Sequence, residues 1–167
     1  MLEHSKNLHF LFIRFTISME VYIGLEGFTL TKEFILKELV IFYPNNEFNH
    51  YIIKNPPKYL SEKDSRTVRY ATENINNLSW YDGDIPYDSV GRILKKVRDW
   101  KVYTYGDFAK RFLRKYLPNT VIVDIQTDCK MPTTLECCDC FRNHPPRYCA
   151  KAKAKFIKNY VSRILLF

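Results

Sequence analysis

The first third of the chain carries its apolar residues in short blocks rich in valine, isoleucine and aromatics, separated by polar turns. Residues 19–25 (MEVYIGL), 34–43 (FILKELVIFY) and 47–54 (EFNHYIIK) read as strands, the third following the turn-forming Pro44-Asn45-Asn46. That pattern predicts a three-stranded antiparallel meander, stopped by Pro56-Pro57. Beyond it the period changes. Ser61 opens a helical stretch with Glu62 and Asp64 in its first turn, running to residue 77. Residues 80–86 (WYDGDIP) read as a loop, with Asp82 and Asp84 flanking a turn glycine. A helix over 87–97, a strand over 101–105, a helix over 106–116 and an apolar strand over 120–125 follow. The last helix spans 148–165, where Ala150, Ala154, Ile157, Val161, Ile164 and Leu165 recur at helical spacing as one apolar stripe.

The predicted order is therefore β-β-β-α-α-β-α-β-α, which implies an α/β fold: a mixed sheet with helices packed on it. This order is similar to that of the ribonuclease H-like fold. At 167 residues a single domain is expected, with residues 1–18 as an N-terminal extension ahead of a domain over 19–167. The apolar run 8–17 carries Arg14, lacks a small-x-small cleavage site and is too short to cross a bilayer, so neither a leader nor a membrane partner is expected. Trp80 and Trp100 read as core or loop anchors.

Charge and cysteines sharpen this outline. The formal charge is +8, and the five cysteines all fall between Cys129 and Cys149. A disulfide framework would spread them along the chain to staple distant loops; their clustering around His144 favours a metal site and a reducing, intracellular compartment, cytoplasmic or nuclear. Read as ligands, Cys137, Cys140, His144 and Cys149 give Cys-x2-Cys-x3-His-x4-Cys, a set of soft thiolates and one imidazole suited to tetrahedral, structural zinc. The spacing is one residue short of a retroviral-type zinc knuckle and lacks its glycine. A second set keeps Cys140, His144 and Cys149 but replaces Cys137 by Glu38. Strand alternation puts Glu38 on the same face as Leu36 and Val40, where a carboxylate is costly unless it meets a cation or hydrogen-bond donors; the alternative is an edge glutamate facing water.

The order of elements and several residues resemble exonucleases of the DEDDh class, which bind two divalent ions through four carboxylates and use a histidine as general base. Gly24-Leu25-Glu26 stands where that class carries Asp-x-Glu, and the run from His144 to Cys149 where it carries His-x4-Asp. Glu26 and His144 match; Gly24 and Cys149 do not, and Ala109 and Lys110 stand where the intermediate aspartate would be. Too few carboxylates remain to hold Mg²⁺, so catalysis is not expected. An active 3'-5' exonuclease or ribonuclease would have to draw on Glu26, Asp107, Asp124 and His144. A degenerate DEDDh framework with Glu38, Cys140, His144 and Cys149 resembles the Maelstrom domain of the germline small-RNA silencing pathway. That resemblance implies structural Zn²⁺ on those four residues, single-stranded RNA binding, and a place in small-RNA or transposon silencing alongside proteins of that pathway.

The basic residues fit such a partner. From Phe141 to the C-terminus there are seven lysines and arginines and no acid, among them Arg142, Arg147, Lys151, Lys155 and Lys158, the last three on one helical face. A second cluster includes Lys110, Arg111 and Arg114. Such surfaces neutralise phosphates, and exposed Tyr103, Tyr105 and Tyr148 would add stacking to a single strand. A protein-interaction adaptor is the remaining alternative.

Overall fold

Strand formation follows the apolar blocks closely. β1 (Glu20–Thr29) pairs antiparallel with β2 (Phe34–Phe42), and β2 pairs antiparallel with β3 (Phe48–Lys54). After α1 (Glu62–Ala71), a two-residue strand β4 (Ile85–Pro86) lies parallel to β3 at the far edge. Then α2 (Val90–Lys95) leads to β5 (Lys101–Thr104), and α3 (Asp107–Tyr116) leads to β6 (Ile122–Asp124). Both strands run parallel to β1, giving the sheet order β4-β3-β2-β1-β5-β6. With α4 (Ala150–Ile164) this is the ribonuclease H-like mixed sheet the sequence predicts, extended by β4. These elements come from a computed structural model that describes residues 19–133, 135 and 148–165. No helix among the described residues is long and apolar enough to cross a membrane.

Strand alternation divides the core into two layers. On one face Val21, Ile23, Leu25, Leu39 and Ile41 pack against Val90 and Leu94 of α2 and Phe112 and Leu113 of α3. On the other, Tyr22, Val40, Phe42 and Tyr103 pack against Ala150, Ala154, Ile157 and Val161 of α4. Ile164 and Leu165, predicted in the same stripe, are exposed at the end of α4. Tyr103 is likewise not a surface aromatic: it is buried and stacks on Tyr22 at 5.7 Å between ring centroids. Trp80 is buried against Phe28 in a third cluster under α1, as an anchor should be.

One local irregularity matters for the site. The β1–β2 register shifts between Glu26 and Gly27, so Glu26 faces Glu38 while Gly27 faces Leu36. The extra residue is Lys37, and a bulge of this kind breaks strict alternation. Leu36 consequently joins the α2–α3 layer, not the α4 layer with Val40 and Glu38, correcting the simple period-two reading. Lys37 itself is fully buried and donates to the main-chain carbonyls of Ile53 (2.7 Å), Trp80 (3.0 Å) and Asp82 (2.5 Å). A buried ammonium must be matched by acceptors; here it ties the WYDGD loop to the sheet. Asp82 accepts from the Ser79 amide at 2.7 Å and Gly83 adopts φ +112°, so this stretch is the turn the sequence indicates, whereas Ile85 and Pro86, expected in the same loop, pair with β3 as β4.

Candidate functional site

The N-terminus of α4 sits directly on the middle of β1. Small residues permit this: Ala150 and Ala154 face the sheet, and Gly24 offers no side chain in return. A Cβ on Gly24 would lie 1.9 Å from the Ala150 carbonyl oxygen and 2.9 Å from the Ala154 nitrogen. Helix backbone thus fills the space that a side chain at position 24 would need.

Beside that contact two glutamates face each other across β1 and β2. Like charges directly opposite on neighbouring strands repel, and both residues are buried, Glu26 at 8% and Glu38 at 1% exposure. Both are compensated, Glu26 from α4 and Glu38 from α4 and β3. Lys153, one turn into α4, forms an ion pair with the Glu26 carboxylate. Glu38 accepts from the Ala150 amide at Oε2 (3.1 Å) and meets His50 Nε2 at Oε1 (2.7 Å). His50 reaches it diagonally, because Val40, two residues along β2, is His50's register partner on β3. Sequence analysis missed His50; spacing two residues from the partner of Glu38 in an antiparallel pair was the available signal.

Burial drives the Glu26 carboxyl above its ordinary value of 4.5, opposed by Lys153 and reinforced by the charge of Glu38. A raised carboxyl pKa means the folded protein holds the proton more tightly than the unfolded chain. The stability contributed by this group is therefore greatest at acidic pH and falls as pH rises from 4.5 through the folded-state pKa. Lys153→Met removes the compensating charge and is expected to cost about 3 kcal/mol near neutral pH in urea denaturation. The loss should shrink on acidification, and Glu26→Gln added to the same variant should restore most of it.

Glu38 and Cys149 are the described members of the predicted zinc set, and Ala150, the residue that follows Cys149, links the two segments. Cys149 is fully buried as the cap residue of α4, and the residue after it donates its amide to Glu38. Glu38 is therefore not an edge residue facing water. Carboxylate and thiolate are both donors that zinc accepts. Cys137, Cys140 and His144 lie outside the described residues. Among the described residues no group of three metal-binding side chains converges.

The carboxylates of the alternative catalytic set do not come together. Asp107 is exposed on the first turn of α3 and pairs with Arg111 at 2.6 Å. Asp124 accepts from the amides of Gly106 (2.8 Å) and Gln126 (2.9 Å), closing the β5–α3 turn where Gly106 adopts φ +97°. Glu26 is engaged by Lys153.

The predicted basic ridge on α4 is divided. Lys158 is buried at 8% exposure, bonded to Asn46 and lying over Phe42, with desolvation lowering its pKa. Lys151 lies over the Phe48 ring at 4.5 Å. The exposed face instead carries Lys155, Asn159 and Arg163, four residues apart in each step. They border a groove of about 230 Å³ that also presents Phe156 and Tyr160. Those two rings stack at 6.4 Å, and Tyr105 meets Phe156 edge-on at 6.3 Å. The groove's other wall is held by the Tyr160 hydroxyl on the Asp128 carbonyl and by the Met131 amide on the Tyr105 hydroxyl. Arg111 and Arg114 are exposed and Lys110 half-buried on α3, which covers the opposite face of the sheet. Arg142 and Arg147 lie outside the described residues.

Comparison with protein-family models, curated proteins and solved structures finds no match.

Proposed function

We propose that this chain is a non-catalytic ribonuclease H-like module that binds single-stranded nucleic acid, RNA in the first instance, along α4, with structural zinc securing the start of that helix. The observation that carries the reading is the groove in which Lys155 and Arg163 flank the stacked rings of Phe156 and Tyr160. Cations spaced along a helix suit successive phosphates, and aromatic faces between them suit unpaired bases of any sequence. Two features argue against a two-metal nuclease: helix backbone fills the space that a side chain at position 24 would need, and a lysine neutralises Glu26. Glu38, Cys140, His144 and Cys149 would hold the zinc, which would supply binding free energy to the folded state and no open position for water. A role in small-RNA silencing follows from the Maelstrom resemblance.

The test is titration of a labelled, unstructured RNA at several salt concentrations. Lys155→Gln with Arg163→Gln should weaken binding about tenfold and reduce the salt slope by about 1.4, whereas Arg114→Gln with Lys115→Gln on the opposite face should change neither. Absence of salt-sensitive binding would favour the adaptor reading. Metal-dependent loss of the RNA that disappears in Glu26→Gln would overturn the non-catalytic one.

A further inference from the structure

A larger cavity of about 750 Å³ lies at the other end of the sheet, where β1 begins and β2 ends. Six residues of strand separate Glu20 at its rim from Glu26 in the α4 site, a distance of about 20 Å. Its walls do not resemble the rest of this basic protein. Glu20 and Glu47 line it with Tyr43, Trp100 and Asn49, with no lysine or arginine among the described lining residues, and the Glu20 carboxylate also accepts from the Tyr22 hydroxyl at 2.5 Å. Tyr43 and Trp100 meet nearly at right angles, 74° apart with centroids at 5.7 Å, so together they form a corner of two aromatic walls. That corner is fixed from both sides: Asn49 donates to the Tyr43 hydroxyl at 2.9 Å, and the Tyr43 amide donates to the Glu47 carbonyl at 2.9 Å. Both rings rest on the α2–α3 core layer while still bordering the cavity.

We propose that this cavity is a docking site for an arginine side chain presented by a protein partner. A planar guanidinium stacks on tryptophan and tyrosine faces and is attracted by their quadrupoles, while its donors match carboxylates. An aromatic corner with acidic lining thus selects a cation over a neutral group of the same shape. The proposal does not rest on the RNA-binding reading, since the cavity shares no lining residue with the α4 groove.

The probe is a short acetylated, amidated peptide with a central arginine, titrated into the full chain by calorimetry and by Trp100 fluorescence; a peptide with citrulline in its place supplies the uncharged isostere. The arginine peptide should bind about tenfold more tightly than the citrulline one, and Glu47→Gln should weaken it about fivefold. Glu47 is an exposed turn residue, so this variant keeps the fold, and Trp100→Leu should abolish the fluorescence response. Equal binding of the two peptides, or none of either, would overturn the proposal. Tighter peptide binding in Arg14→Gln would overturn docking in trans, because the chain's own arginine would then be the competitor.

Discussion

Gly24→Ala is expected to destabilise the fold by about 3 kcal/mol or more, lowering the melting temperature by about 6–12 °C. The three atoms nearest the added methyl group are all main-chain: the Ala150 oxygen at 1.9 Å, the Ala150 carbonyl carbon at 2.8 Å and the Ala154 nitrogen at 2.9 Å. Turning a side chain aside cannot relieve a clash with backbone, so α4 must move off β1, and its contacts with Tyr22, Val40 and Tyr103 loosen with it. Gly91→Ala is the control. It lies inside α2, where a new Cβ approaches only the Tyr116 ring at 3.2 Å, and its effect should stay within about 1 kcal/mol. Gly24→Asp, which restores the acid of the exonuclease pattern, should be at least as damaging as alanine and should not confer nuclease activity. Differential scanning calorimetry of the three variants decides the point, and an unchanged melting temperature in Gly24→Ala would refute the close approach of α4 to β1.

Glu38→Ala should produce the second large effect, on two readouts at once. It strips the Ala150 amide of its acceptor and His50 of its carboxylate, and under the zinc reading it also removes a ligand. Stability should fall by about 3 kcal/mol even without metal, and zinc affinity should drop about a hundredfold or more. Glu38→Gln separates the contributions. The amide oxygen can still accept from Ala150, so metal-free stability should be largely kept while zinc retention is lost. Cys137→Ala should retain zinc if Glu38 is the fourth ligand; the reverse pattern would assign the four-residue cluster Cys137, Cys140, His144 and Cys149 instead. Wild-type protein that contains no zinc by metal analysis, with a melting temperature indifferent to chelators, would refute the metal centre altogether.

The site was legible in part. Glu38 stood out because a carboxylate interrupts the apolar run FILKELVIF, and its burial against α4 bears out the expectation that it needs donors. Lys37 interrupts the same run, but its three carbonyl partners come from residues far along the chain and no local pattern announces them. The exposed ridge on α4 was misplaced for a related reason. Helical spacing puts Lys151, Lys155 and Lys158 on one side of the helix, but Lys151 and Lys158 lie over the Phe48 ring of β3 and the Phe42 ring of β2. Arg163, Asn159 and the aromatic pair that line the groove form a different face.

Local pattern alone determined the element order apart from β4, because apolar periodicity and turn residues act between near neighbours: the three-stranded meander, the two later strands and the final helix are all readable without any contact, whereas the two residues of β4 are strand only through their pairing with β3. What only the tertiary structure decided is what the charged residues in those elements meet. The bulge at Lys37 that reassigns Leu36, the opposition of Glu26 to Glu38, and the arrival of Ala150 and Lys153 from a helix more than 100 residues away are pairings between distant segments. Their energies depend on register and burial, which no short window of sequence contains.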